Sequence, residues 1–238
     1  MSINISASLL KDYIACSNQA NFRLNYPDAQ KQSVYMMIGN IVHKAIELYW
    51  NNKDSAIEYV ESVMKAYKFS NREANTLKTY LYGFFDSFSN KLTDSDLIEN
   101  FFKLKLDNNI YLVGKFDRVS GNSVYDWKAV SSPPNSIDDD VQFITYYHAY
   151  RKLYKKEPSD VYFASLSDGN LIKYNYDKMH FTELFDNIVP NLIVDIKTNN
   201  FKREGLFRKG VCYKCSYKQR CLNKEDTNVM DSGTITKR

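Results

Sequence analysis

The sequence predicts an α/β protein, a mixed β-sheet flanked by helices, and three observations carry that expectation. Apolar residues recur at helical spacing through the first third of the chain. Three extended runs then follow one another across short turns. A helical stretch separates those runs from a further pair of strands, an order that suits helices on both faces of one sheet. With 238 residues, 44% of them hydrophobic, the chain can bury one substantial core, so one main domain with appendages is expected.

The elements follow in order. Residues 6–26 begin as a helix with Leu9, Leu10, Tyr13 and Ile14 on one face, Ser6 or Ser8 placed to cap it, and Cys16 at or just past its last turn. Residues 39–52 form a second helix with Ile41, Val42, Ala45, Ile46 and Tyr49 as its apolar face, and helical runs at 54–67 and 71–92 follow. Extended runs at 98–106, 110–119 and 123–129, separated by Asp107-Asn108-Asn109 and Gly121-Asn122, predict an antiparallel meander. After Pro133-Pro134, the acidic run Asp138-Asp139-Asp140 suits the positive end of a helix over 141–154. A strand pair at 161–166 and 171–176 turns at Ser167-Asp168-Gly169-Asn170, and a helix over 177–198 leads into a basic, cysteine-bearing segment. The expected organisation is therefore a helical amino-terminal segment (1–38), a core (39–199), a basic cysteine segment (200–222) and a disordered tail (223–238) without periodicity.

The net charge of +4 is too small to argue for a polyanionic partner, but its placement is informative. Lys202, Arg203, Arg208, Lys209, Lys214, Lys218 and Arg220 stand against the single Glu204 in one short segment, which leaves the rest of the chain slightly acidic. Such a run is either a footprint for a phosphate backbone or a solvated face. No apolar run reaches the roughly 18 to 20 residues of a membrane span, and the amino terminus lacks a basic stretch followed by an apolar one. A soluble, cytoplasmic protein with no membrane partner is expected.

Asp117 lies near the end of the second extended run, in Gly114-Lys115-Phe116-Asp117-Arg118, and Asp126-Trp127-Lys128 lies near the end of the third. Residues two apart on a strand share a face, so Asp126 and Lys128 project together while Trp127 points into the opposite layer. On adjacent strands, two carboxylates and one ammonium can then converge. Carboxylate oxygens hold magnesium or manganese, such an ion activates water and neutralises phosphate charge, and Lys128 would orient that water or stabilise the transition state. The grouping suits phosphodiester hydrolysis, although Asp-x-Lys alone is also an ordinary exposed strand end.

The wider order of motifs resembles the RecB-like branch of the PD-(D/E)XK nuclease superfamily: G-x-x-x-H on a helix, an Asp ending one strand, (D/E)-x-K ending the next, and Q-x-x-x-Y on the following helix. Gly39-Asn40-Ile41-Val42-His43, Asp117, Asp126-Trp127-Lys128 and Gln142-Phe143-Ile144-Thr145-Tyr146 supply these in order. The resemblance implies a restriction-endonuclease-like core and a catalytic group of Asp117, Asp126, Lys128, Gln142 and Tyr146. It also implies His43 as a metal ligand beside Asp117, Asp126 and the backbone carbonyl of Trp127. Gln142 and Tyr146, four apart on one helix face, can meet the substrate strand or the lysine together. Glu47, one helical turn after His43, could support the metal from behind its ligands, and Glu99 is another candidate, but both are left outside this set as ordinary structural or surface carboxylates; His148 and His180 stand in no motif.

Four cysteines in a reducing cytosol are not expected to form disulfides, and four thiolates can hold zinc or an iron-sulfur cluster. Cys16 followed much later by Cys212-x-x-Cys215-x5-Cys221 is similar to cluster-bearing nucleases, the AddB-type nuclease domains and the CRISPR-associated exonucleases of the Cas-four family. That likeness implies a [4Fe-4S] cluster and a subdomain made from both chain ends, with zinc as the alternative; Ser17 stands where relatives often carry proline. The seven basic residues would then line a groove for single-stranded DNA, with Tyr213 and Tyr217 either stacking on bases there or packing to shield the cluster. The implied function is a metal-dependent DNA exonuclease acting on single strands or frayed ends. The implied settings are CRISPR adaptation or the DNA processing of a phage or mobile element, in a prokaryotic cell, with an integrase complex or helicase as partner. The competing reading is a DNA-end-binding adaptor with little catalysis.

Overall fold

The computed structural model describes residues 2–27, 33–203 and 210–222. The expected tail, together with Arg208 and Lys209, lies outside the described residues. In chain order the elements are β1 (Ile3–Ile5), α1 (Ala7–Ala15), α2 (Ser17–Asn25), α3 (Val34–Asn51), α4 (Lys53–Ala66), α5 (Asn71–Ser87), β2 (Leu97–Asp107), β3 (Ile110–Ser120), β4 (Ser123–Lys128), α6 (Val141–Tyr154), β5 (Asp160–Ser165), β6 (Leu171–Lys173), α7 (Lys178–Thr182), α8 (Val189–Thr198), α9 (Val211–Lys214) and α10 (Lys218–Leu222). They divide into two compact units, one holding the described residues up to Ser8 and from 33 to Val189, the other those from Leu9 to 27 and from Pro190 onward. These boundaries differ from the expected ones at 38 and 199, and the amino-terminal segment contributes a strand as well as helices.

The larger unit is a mixed sheet with helices on both faces. Strand β2 lies antiparallel along one edge of β3, from Leu97↔Val119 to Asp107↔Ile110. The other edge of β3 is shared: β1 pairs with its beginning in parallel, at Ile3↔Ile110, and β4 pairs with its end, at Ser120↔Ser123. Strand β4 then pairs in parallel with β5, with α6 as the crossover between them, and β6 closes the sheet.

On one face, Ile38, Val42 and Ile46 recur along α3 at helical spacing and pack with Leu77 and Phe84 of α5, Trp127 of β4, and Leu166. Helix α5 starts at a capping box between Ser70 and Glu73, which satisfies two of its free N–H groups. Its Gly83 permits a close approach, since a Cβ there would lie 1.9 Å from the carbonyl oxygen of Leu166. On the other face, Phe143 and Tyr146 of α6 meet the rings of Phe102, Phe116 and Phe163. Asp140 caps α6 by accepting from Gln142 N at 2.7 Å, which accounts for the acidic start seen in the sequence.

Several boundaries differ from expectation. The first helix ends at Ala15 with Cys16 just past its last turn, as its spacing predicts, but a second helix, α2, follows directly after Cys16, whose φ of −165° and ψ of 118° are extended. The run 71–92 ends as a helix at Ser87, and that over 177–198 passes through a π-helical turn, Glu183–Ile188, between α7 and α8. Strand β1 is too short to show a period in sequence. No helix among the described residues is long and apolar enough to cross a membrane.

In the smaller unit, residues from the two ends of the sequence are stitched by polar contacts. Tyr13 donates to Asp195 Oδ2 at 2.6 Å, and Asn18 N donates to the Lys202 carbonyl at 3.0 Å. Lys202 N donates in turn to Ser17 Oγ at 3.2 Å.

Candidate active site

The ladder between β3 and β4 ends at Arg118↔Tyr125, one residue short of Asp117 and Asp126. The Trp127 N–H therefore finds no ladder partner on β3 and donates to Asp117 Oδ2 at 2.7 Å. Trp127 itself turns into the core against Phe84 and Phe88, while Asp126 and Lys128 turn to the α6 side. From α3, His43 places Nε2 3.0 Å from the Trp127 carbonyl and Nδ1 3.6 Å from Asp117 Oδ1.

Helix α6 holds the other half of the group. Lys128 Nζ lies 2.5 Å from Asp126 Oδ2 and donates to Gln142 Oε1 at 2.9 Å. Gln142 Nε2 donates to Asp126 Oδ1 at 2.8 Å and to the Tyr146 hydroxyl at 2.9 Å. That hydroxyl lies 3.0 Å from Asp126 Oδ1 and 2.9 Å from the Lys115 carbonyl. Gln142 and Tyr146 thus bind the carboxylate and the ammonium to one helix face.

The electrostatics follow from burial and crowding. Burial pushes the Asp126 carboxyl up to about 6, with the Asp117 charge adding to the effect and Lys128 opposing it. Asp117 is equally buried, but the neighbouring His43 and Lys128 and the Trp127 N–H hold it below the usual carboxylate range. Burial disfavours the charged forms of His43 and Lys128, yet Asp117 and Asp126 respectively outweigh it and raise both. Tyr146 is raised well above its ordinary value by burial and the two carboxylates, so its hydroxyl stays protonated. Two close carboxylates, one of which favours a proton, form a negative pocket that a cation would relieve.

Glu99, on sequence alone a candidate outside the core set, joins this group. His43, Glu99 and Asp117 bring one ligand atom each within 4.8 Å of one another. Glu99 Oε1 lies 3.9 Å from His43 Nδ1, and its carboxylate also pairs with Lys115. Glu47 instead pairs with Lys44 at 3.0 Å. Of the other histidines, His148 stacks on Phe185 and is lowered to about 4 by burial and nearby Lys152 and Arg151, while His180 Nδ1 lies 3.2 Å from the Asp138 carbonyl.

A model of the PD-(D/E)XK nuclease superfamily matches residues 4–222. The chain belongs to that superfamily. The fold of this nuclease-family chain is shared with a solved structure from Eubacterium rectale, described as a candidate exonuclease, at a TM-score of 0.62 and 12% identity over 99% of this chain and 90% of that one. No curated protein matches the chain.

The superfamily member also gathers its four cysteines. Cys16, Cys212, Cys215 and Cys221 line one cavity within the smaller unit, with Asn18 and Phe22 beside them. Burial raises the Cys215 thiol, the Tyr217 N–H opposes this, and the other three sulfurs add to it. Asn18 Nδ2 donates to Cys221 Sγ at 3.5 Å.

The basic residues divide. Lys202, Lys214 and Lys218 are exposed, Arg203 is half-buried, and Arg220 lies over the Tyr26 ring at 4.2 Å. Tyr213 is 83% exposed, but Tyr217 is buried and stacks on Phe22, which gives it the packing role of the two left open for it. Phe22, on which it stacks, lines the cysteine cavity, a packing role that the sequence spacing does not distinguish from an exposed one.

Proposed function

We propose that this chain is a divalent-cation-dependent deoxyribonuclease that removes nucleotides from single strands or frayed ends, with a [4Fe-4S] cluster on its four cysteines. The catalytic half rests on one observation: the Lys128 ammonium is held between Asp126 Oδ2 and Gln142 Oε1, beside a buried pocket of opposite charge. His43, Asp117, Asp126 and the Trp127 carbonyl would hold magnesium or manganese. The donor set suits these ions, and Asp126 Oδ2 is buried without a well-aligned hydrogen bond. When bound, the ion supplies Lewis-acid stabilisation of phosphate charge and a more acidic water. Lys128 then faces the charge that develops on the phosphate, with its position fixed by Gln142 rather than by solvent. Tyr146 keeps Asp126 in place through its uncharged hydroxyl.

The cluster half is supported by the meeting of all four cysteines in one cavity. Such a cluster would be held by Cys16, Cys212, Cys215 and Cys221, and the Asn18 amide would donate toward the Cys221 sulfur. Exposed Lys202, Lys214 and Lys218 nearby would meet the DNA backbone.

The test uses end-labelled single strands, linear duplex and covalently closed circles with magnesium or manganese. We expect linear DNA to shorten and closed circles to survive, and Lys128→Ala to lose about 100- to 1,000-fold in cleavage while still retarding DNA in a gel. Cutting of closed circles would overturn the exonuclease reading, and absence of any cleavage by the wild type would put the adaptor reading ahead. For the cysteines, protein purified without oxygen should be brown and contain iron and sulfide; a colourless zinc protein would overturn the cluster.

A further inference from the structure

We propose that Glu99 is a further cation-holding residue of this site, and that Lys115 is the resident counter-charge that the cation displaces. The inference rests on the cation-dependent reading of the pocket given above.

The backbone is built to deliver Glu99. At the hairpin end the register is Asp107↔Ile110, and continued unchanged it would set Asn100 opposite Asp117. An irregularity between Lys105 and Asp107 inserts Leu106, and from there on the pairs run Lys105↔Tyr111 to Asn100↔Phe116 and Ile98↔Arg118. Glu99 therefore falls opposite Asp117, where cross-strand side chains share a face. Without that one-residue slip it would point to the other face. Glu99 also takes a φ of 55°, a conformation that a side chain of this size rarely adopts and one that interrupts its own ladder pairing.

The result is a third carboxylate in a pocket that already holds Asp117 and Asp126. The Glu99 side chain is only 12% exposed, lies 3.9 Å from His43, and contributes to the ligand group with His43 and Asp117. Three carboxylates in one pocket repel one another unless positive charge is supplied. In the cation-free protein Lys115 supplies it, reaching Glu99 from the adjacent strand with a side chain that is 48% exposed. A half-exposed lysine can swing into water at little cost, whereas Glu99 is held by its backbone. A hard divalent cation with oxygen ligands is the better partner for the carboxylates, and affinity rises with their number.

The two residues must then act on cation affinity with opposite signs. Titration of manganese or magnesium into the full-length protein, followed by calorimetry, should show Glu99→Gln weakening binding by about tenfold or more. Lys115→Met should tighten binding, because the competing ammonium is gone. Glu99→Gly relieves the left-handed backbone, so the cation-free protein should melt no lower than wild type, while the rise in melting temperature on adding cation shrinks. A Glu99→Gln variant with wild-type affinity overturns the assignment of Glu99. A Lys115→Met variant that weakens binding as Glu99→Gln does overturns the displaced counter-charge and makes the pair a structural ion pair. A wild-type protein that binds neither cation overturns the underlying reading of the pocket, an outcome separable from the other two.

Discussion

Gln142 and Asp126 are joined by a 2.8 Å hydrogen bond from amide to carboxylate, and the other end of the same amide accepts from Lys128. One uncharged side chain therefore sets the distance between an acid and an ammonium that carry opposite tasks. Replacing Gln142 with Ala should lower the single-turnover cleavage rate by about 10- to 100-fold. DNA affinity should be unchanged, and stability should fall by only about 1 kcal/mol, the worth of ordinary hydrogen bonds. Equal loss of rate and DNA affinity would place Gln142 in strand binding instead.

A second expectation concerns acid. The Asp126 carboxyl titrates near 6 in the cation-free protein, held up by burial and by Asp117 against the pull of Lys128. Proton and cation compete for it, so above about 6 the cation meets an ionised group, and below it must displace a proton. His43, raised above its ordinary value by Asp117, must also give up its proton to serve as a ligand, so apparent cation affinity should already fall as the pH drops through the imidazole range and fall more steeply once Asp126 takes a proton as well. Calorimetry in buffers of different ionisation enthalpy should detect proton release on cation binding that is largest near pH 5.5 and shrinks as the pH rises.

Gly83 offers a stability test with an unusual sign. Alanine for glycine within an exposed helix ordinarily stabilises by up to about 1 kcal/mol. Here the added Cβ would meet the Leu166 carbonyl oxygen at 1.9 Å, and a backbone atom cannot rotate away. Gly83→Ala should cost about 1 to 3 kcal/mol, read as a lowered melting temperature. Because Leu166 N donates to the Lys128 carbonyl at 3.0 Å, the same substitution should also slow cleavage.

Removing one cysteine tests the smaller unit. Cys16→Ser should leave the protein colourless and lower its melting temperature, because a link across 195 intervening residues constrains the unfolded chain by up to roughly 5 kcal/mol. A Cys16→Ser protein that keeps its iron and sulfide would remove Cys16 from the ligand set.

The sequence made the neighbourhood of the site legible but not its edges. Alternation along β4 separates Trp127 from Asp126 and Lys128, and a four-residue spacing on α6 puts Gln142 and Tyr146 on one face, so these positions follow from period alone. Glu99 stayed a candidate outside the core set because its face depends on one inserted residue, Leu106, in a hairpin whose turn predicts the other register. A bulge leaves no periodic signal that a stretch of alternating residues would betray. Strand β1 escaped because three residues cannot display a period, and its pairing with β3 is set by contacts more than a hundred positions away. Tyr217 stayed open between two roles because a basic, aromatic segment looks the same whether its rings face water or pack on Phe22.

The smaller unit has an order of assembly written into its chain path. Cys16 is translated well before the cysteines that share its cavity, which follow after 195 further residues. At ribosomal speeds of about 5 to 20 residues per second, that is a wait of roughly 10 to 40 s. Strands β2 to β6 and the whole pocket around Asp117 and Asp126 are translated within that interval, β1 having preceded Cys16. The candidate site can therefore take shape on the nascent chain before Cys212, Cys215 and Cys221 have been made, and the cysteine cavity closes only after them.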